Sequence, residues 1–244
     1  MQDRLKKLEF TVMNLETAID SLLAVPTDFH STQTGFNGQV GRKQIFNDLL
    51  STLKFELIIE TGTYIGMTTG YMSQASGLPI HSAEVNPRFH SIAKLRLREF
   101  KNISLYNLDS REFLKTLAKD KALTKQRTFF YLDAHWYGDF PLREEIELIA
   151  EYWPEFVIMI DDFQIPGDAG YGYDDYGNGE SLSIDYIEPL LKTKNLSTYF
   201  PSLMASRETG HKRGCTILVP ESQSKRIDTI HSLKRYSLQR AAIA

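Results

Sequence analysis

Apolar residues recur along this 244-residue chain with two different periods. At the start, Leu5, Leu8, Val12, Leu15, Ile19 and Leu22 alternate spacings of three and four. That predicts a helix with an a/d seam over about three heptads, either lying on its own domain or meeting a second copy. Pro26 ends the helix, and the polar stretch Thr27–Gly41 is expected to be a loop. From residue 43 helical and extended patterns alternate. A helix over 43–53 precedes the apolar run Phe55–Ile59, which leads into a glycine loop and another helix. A strand Ile80–Val85 follows, and Asn86-Pro87 starts a helix reaching Glu99. Further strands are predicted at Ile103–Leu108, Thr128–Leu132 and Phe156–Ile160. Between the last two, Leu142, Ile146, Ile149 and Trp153 share one face of a helix over Pro141–Trp153.

The runs at 128–132 and 156–160 are continuously apolar, which suits strands of a parallel sheet covered on both faces. Strands alternating with helices predict βαβ units. The ending differs. After a helix over Ser183–Lys192, the runs Ser197–Ala205 and Cys215–Val219 have no helix-length segment between them. They are expected to pair as an antiparallel hairpin, with Ser222–Tyr236 as a closing helix. The expected architecture is a doubly wound α/β sheet of seven strands, mostly parallel, in one domain (27–244) behind an N-terminal amphipathic helix (1–26).

A hydrophobic content of 42% and a net charge of -3 are those of an ordinary globular chain, with no electrostatic footprint of a general nucleic-acid binder. No apolar run reaches the roughly 18 residues of a membrane span, and the first residues lack a signal-peptide core. A cytoplasmic protein is expected. Cys215 is the single cysteine, so no intramolecular disulfide can form, and its apolar neighbours predict a small buried hydrophobe.

The candidate chemistry sits where predicted strands end. Glu60-Thr-Gly62-Thr63-Tyr64-Ile-Gly66 follows the first strand and opens a helix, the place where open α/β sheets bind nucleotides. Glu84 ends the second strand, where a carboxylate can accept both hydroxyls of a ribose. Asp109-Ser110 ends the third and could touch an adenine, or Ser110 could cap the next helix. Asp133-Ala-His135 ends the fourth and Asp161-Asp162 the fifth. Three carboxylates sent into one cleft repel unless a cation compensates, and oxygen ligands suit magnesium. Phe163–Glu180, rich in Gly, Tyr and Asp, reads as a lid or binding loop in which Tyr171, Tyr173 and Tyr176 could stack on an acceptor. Thr209-Gly-His211-Lys-Arg213-Gly reads as a solvated hairpin tip, or a cationic turn for an anionic acceptor.

The loop Glu60–Gly66 resembles the first motif of the class I S-adenosylmethionine-dependent methyltransferases, whose Rossmann-like sheet also ends in an antiparallel hairpin. The set Asp133, Asp161 and Asp162 is similar to that of metal-dependent natural-product and sugar O-methyltransferases, the group of macrocin O-methyltransferase and the cephalosporin-hydroxylase-like proteins. The resemblance covers about residues 43–220. It implies S-adenosylmethionine at Glu60, Gly62, Thr63, Tyr64, Gly66, Glu84, Asp109, Ser110 and Asp133, and Mg2+ on Asp133, Asp161 and Asp162. It also implies O-methylation of a small molecule, such as a sugar or diol, with Asp133 and His135 catalytic. In some of those enzymes a histidine stands three residues after the first metal aspartate, whereas His135 stands two after Asp133. A metal-independent methyltransferase, other chemistry on the same fold, and a non-catalytic cofactor-binding or interaction module remain as alternatives. A homodimer through the N-terminal helix is expected, with no membrane partner.

Overall fold

The structure is a computed structural model, and it describes residues 4, 5, 8, 12, 15, 32–135 and 139–237. The chain divides into two compact units, residues 1–32 and 33–244. In the first, Leu5, Leu8, Val12 and Leu15 are helical and exposed, in line with the seam, whereas Ile19 and Leu22 lie outside the described residues.

The second unit is built on eight strands: β1 Leu57–Thr61, β2 Ile80–Ala83, β3 Ile103–Tyr106, β4 Thr128–Leu132, β5 Phe156–Ile160, β6 Leu196–Pro201, β7 Thr216–Pro220 and β8 Leu233–Tyr236. Their order in the sheet is β3-β2-β1-β4-β5-β7-β6-β8. The first five are parallel, and β7 runs antiparallel between β5 and β6. Every residue of β1, β4 and β5 is buried, as continuous apolar runs require when both faces of a sheet are covered. One apolar cluster joins Leu57, Phe130 and Ile158 to Ile146 of the Leu142–Tyr152 helix and to Trp153 just after it. The other joins Ile58, Phe129 and Val157 to Phe46 and Leu49 of the Val40–Leu53 helix.

The strand count corrects the expectation of seven. Instead of one closing helix, the chain makes a short turn of helix at Ser224–Ile227 and then β8, which pairs antiparallel with β6. Ile227, Ile230 and Leu233 are buried at helical spacing, which is why the segment resembles a helix in sequence. The open edge of β6 offers Leu233–Tyr236 a ladder of backbone hydrogen bonds, and pairing wins there. At the other end, the expected loop before residue 43 carries more structure. The helix begins at Val40, and Thr32–Gly38 forms a 3-10 turn with Phe36 and Asn37 at left-handed φ of 53° and 58°. Phe36 is fully buried against Phe46, Tyr71 and Tyr131, so packing holds this turn in place.

Register decides what happens at the sheet's carboxyl rim. Thr61 pairs with Ala83 on one side and Leu132 on the other, and Leu132 pairs with Ile160. The next residues, Gly62, Glu84, Asp133 and Asp161, therefore leave the sheet at one level. The rim also spans the point where sheet order reverses between β1 and β4, which is where such sheets bind ligands.

Candidate functional site

The loop after β1 is shaped by close approach. Gly62 has φ +86°, and a Cβ built on it would stand 2.1 Å from the Asp133 carbonyl oxygen, so only glycine fits between β1 and β4. Gly66, at φ +83°, caps the Met67–Ser76 helix and packs on Leu97. Gly62 and Thr63 donate backbone N–H bonds to Ala83 O at 2.9 and 3.0 Å, tying the loop to β2. Thr63 Oγ1 lies 2.5 Å from Ser82 Oγ. Glu84 closes the ring: its carboxylate accepts from Tyr64 N at 2.7 Å and from Asn86 N at 2.8 Å. Tyr64 stands 53% exposed at a left-handed φ, edge-on to Phe89. Beneath the loop, Glu60 is buried and accepts from Thr69 Oγ1 and Ser82 Oγ, while its Oε1 has no hydrogen-bond partner among the described residues. Burial pushes the Glu60 carboxyl up to about 7, against the pull of Ser82 and Thr69.

The ends of β4 and β5 carry a second cluster. Asp133, His135 and Asp162 each offer a donor atom within 4.8 Å of the others. His135 Nε2 stands 3.7 Å from Asp133 Oδ1, 3.9 Å from Asp162 Oδ2 and 3.9 Å from Asp174 Oδ2, and it is a buried nitrogen with no hydrogen-bond partner within 3.5 Å among the described residues. Arg213 comes in from the loop before β7. Its Nε donates to Asp162 Oδ1 at 2.6 Å and its other arm pairs with Asp174. Burial raises the Asp133 carboxyl well above its ordinary range, and the Asp161 and Asp162 charges raise it further. Burial works to raise Asp162 too, but His135 and Arg213 outweigh it and hold that carboxyl below its ordinary value.

Asp161 points elsewhere. It forms a buried ion pair with Arg42, accepts from Tyr131 Oη and from the Asp162 backbone N–H at 2.7 Å, and meets Asn37 Nδ2 at 3.4 Å. The Arg42 guanidinium also donates to the Arg213 and Gly214 carbonyls. Asp161, the expected third metal ligand, is engaged by Arg42 and Tyr131 and falls outside the group of donor atoms within 4.8 Å of one another, in which His135 stands instead. Asp109, and not Ser110, caps the Ser110–Ala118 helix, accepting from Arg111 N at 2.9 Å and from the Arg111 guanidinium at 2.7 Å. That bond keeps Asp109 below the ordinary carboxylate range. Ser110 is buried behind it.

No protein-family model and no curated protein matches the chain. Solved structures do. An O-methyltransferase from Bacillus cereus in complex with SAH aligns over 85% of this chain and 90% of its own, with a TM-score of 0.56 and 16% identity. A putative caffeoyl-CoA O-methyltransferase from Staphylococcus aureus aligns over 85% and 99%, at 0.54 and 17%. The O-methyltransferase TomG from Streptomyces achromogenes, in complex with SAM, aligns over 73% and 79%, at 0.53 and 16%. The fold is that of the class I O-methyltransferases.

On this methyltransferase fold, the rim residues expected from sequence fall into two sets. Glu60, Gly62, Thr63, Tyr64, Gly66 and Glu84 gather around one loop, and Asp133 and His135 meet Asp162 one strand on. Val85 and Leu108, 66% and 37% exposed, follow β2 and β3 and add apolar surface beside the loop. Tyr171 is no stacking platform: it is buried and donates to Leu203 O at 3.0 Å. Tyr176 packs on Phe140 and donates to Asp174 Oδ2 at 2.8 Å, which leaves it beside the cluster. Cys215 is buried near Arg42, its thiol pushed up to about 11 by burial, and so remains a neutral hydrophobe.

Arg42 and Asp174 are not among the residues singled out from the sequence, and Arg213 reads there as part of a solvated hairpin tip or of a cationic turn for an anionic acceptor. A signal for Arg42 is present. It shares the buried stripe Arg42, Ile45, Phe46, Leu49 and Leu53, and a cation on an apolar face implies a buried carboxylate opposite. Arg213 and Asp174 carry no such signal. A groove of about 400 Å3 lined by Leu50, Lys54, Phe55 and Leu78 opens at the opposite end of the sheet, before β1 and β2 begin, and is no part of this rim. No described helix is long and apolar enough to cross a membrane.

Proposed function

We propose that the chain transfers the methyl group of S-adenosylmethionine to a hydroxyl of a small molecule, such as a sugar or vicinal diol, assisted by a divalent cation. The observation that supports it most is the shared rim. A glycine loop locked against Asp133 and Glu84 lies beside a three-donor group on the next two strands. Glu84 is the residue to accept the ribose hydroxyls, with Asp109 and Ser110 on the adenine side. Glu60 lies buried beneath the loop.

The donor set fits a metal in composition. Asp133 and Asp162 supply oxygens, and His135 Nε2 supplies a nitrogen. Arg42 balances Asp161 and Arg213 is shared between Asp162 and Asp174, so four carboxylates meet two guanidinium groups and Asp133 meets neither. That deficit matches a divalent ion. Carboxylates suit Mg2+ and Mn2+, and the imidazole extends the range toward Mn2+. When bound, such a cation lowers the pKa of the acceptor hydroxyl. Asp133 then receives the hydroxyl proton as the oxygen takes the methyl group. The Gly62 loop and Glu84 hold the cofactor in line, so proximity supplies much of the rate.

One observation favours a second reading, in which no metal takes part. Arg213 already places a cation against Asp162 and Asp174. His135 is then the base. The test is incubation with labelled cofactor and a panel of diols and sugars, with Mg2+, with Mn2+ and in excess chelator. Transfer that requires a divalent ion supports the first reading. Full transfer in chelator leaves the second, and no cofactor binding at all refutes both.

A further inference from the structure

We propose that the hydroxyl acceptor carries a positive charge, as in an amino sugar or a hydroxylated amine, and that the loop 163–180 selects it through Asp174, Asp175 and Glu180. The inference rests on methyl transfer at this rim and names the class of its acceptor. Charge is segregated along the chain. Residues 144–191 carry thirteen carboxylates and no lysine or arginine, whereas residues 88–127 carry eleven lysines and arginines and four carboxylates. The acidic stretch includes β5 and the whole loop after it, which is the side of the rim away from the Gly62 loop.

Asp174 is fixed beside the donor group. Its backbone N–H donates to Asp162 O at 3.0 Å and its carbonyl accepts from Leu182 N at 2.9 Å. Its Oδ2 accepts from Tyr176 Oη at 2.8 Å and stands 3.9 Å from His135 Nε2. Asp175 and Glu180 are exposed on the same loop. The turn before β7 brings two cations to it, Arg213 and Lys212, whose carbonyl accepts from Gly172 N at 2.8 Å. Arg213 is engaged by Asp162 and Asp174, so it is not free for an anionic acceptor. With Asp133, Asp162, Asp174, Asp175 and Glu180 against those two cations, this mouth stays anionic even when a divalent ion is bound. A second observation points to a ligand here. The buried His135 Nε2 has no hydrogen-bond partner among the described residues and faces Asp133, Asp162 and Asp174. A buried polar atom of that kind marks a place where a polar ligand binds. A protonated amine complements the charge and donates to the carboxylates. Its proton holds the nitrogen lone pair, so the amine binds while the hydroxyl remains the nucleophile. Sugar acids and sugar phosphates meet repulsion from the same groups.

Transfer from labelled S-adenosylmethionine to two matched sets tests this, with Mn2+ and in chelator. One set is a hexose, its amino-hexose and its hexuronic acid, and the other is catechol, dihydroxybenzylamine and dihydroxybenzoate. Cofactor binding is followed by calorimetry alongside. Where a set is accepted, the amine is expected to show a kcat/KM about tenfold above the neutral member, with the acid lowest. The preference should shrink several-fold at high ionic strength, because Asp175 and Glu180 are exposed. Asp175→Asn/Glu180→Gln should lower the amine-to-neutral ratio several-fold, and a general loss of activity does not move that ratio. Transfer to neutral or acidic members without preference for the amine overturns the proposal and leaves methyl transfer standing. Failure of both amines to accept the methyl group overturns it too, as does a preference indifferent to salt. No transfer to any member together with no cofactor binding removes the methyltransferase reading as well.

Discussion

Arg42 and Asp161, 119 residues apart in sequence, form an ion pair buried beneath the rim, and Arg42 reaches past it to the carbonyls before β7. One side chain thus ties the Val40–Leu53 helix, the end of β5 and the loop before β7 together. Removing one partner leaves a buried charge without compensation, a loss of about 3–5 kcal/mol. Arg42→Met and Asp161→Asn should each lower thermal stability strongly. Arg42→Met/Asp161→Leu should lose less than the sum in a double-mutant cycle. In folded Asp161→Asn the affinity for Mn2+ should stay within a few-fold of wild type, whereas Asp162→Asn should lose it. Equal losses of Mn2+ in both would restore Asp161 to the metal site.

Glu84 links loop and ligand. Its carboxylate already accepts from Tyr64 N and Asn86 N. Glu84→Ala should weaken cofactor binding by about 1.5–3 kcal/mol, from charged hydrogen bonds lost to the ribose and from a loosened loop. Calorimetry giving the wild-type affinity would remove Glu84 from the cofactor site.

Gly62→Ala is expected to act on two strands at once. The new Cβ meets the Asp133 carbonyl at 2.1 Å in a left-handed backbone. Either β4 shifts or the loop unwinds. A loss of stability of roughly 2 kcal/mol or more should appear in thermal denaturation, because backbone cannot yield as a side chain can.

Glu60 makes stability depend on pH. Its carboxyl is about 7 in the fold against 4.5 for the ordinary group. Between those values the folded chain holds a proton that the unfolded chain has released, so this group's contribution falls as pH rises from 4.5 toward 7 and is flat above. The difference corresponds to about 3 kcal/mol. Glu60→Gln should therefore gain melting temperature relative to wild type as pH is raised from 5 to 8. A gap independent of pH would show that Glu60 is ionised in the fold throughout.

Arg213 competes with any cation at the cluster. Its guanidinium is bound to Asp162 and Asp174 and its side chain is 17% exposed. Arg213→Met should raise the affinity for Mn2+ by about fivefold, roughly 1 kcal/mol after solvent screening, and loosen the Phe163–Glu180 loop. Titration calorimetry showing weaker Mn2+ binding would mean that Arg213 shapes the donor group instead of opposing it.

The strands and their rim were legible in sequence because they depend on local order. A buried parallel strand must be a continuous apolar run, and the first polar residue after it marks the rim. Glu60, Gly62, Glu84, Asp133 and the Asp161-Asp162 pair could all be placed at strand ends on that ground. What local order could not decide was direction. Neighbouring side chains of an extended chain point to opposite sides, but past the strand end the order of two aspartates no longer says which of them faces a cleft. Which one does so depends on Arg42, and on the left-handed φ of 52° that Asp162 adopts as it leaves β5. The same holds for Arg213, which meets Asp162 only because β7 lies beside β5 in the sheet. It holds too for Leu233–Tyr236, which became a strand because β6 presented an open edge. Apolar periodicity set the sheet and its rim, while the charge pairs across the rim exist only once distant segments have packed.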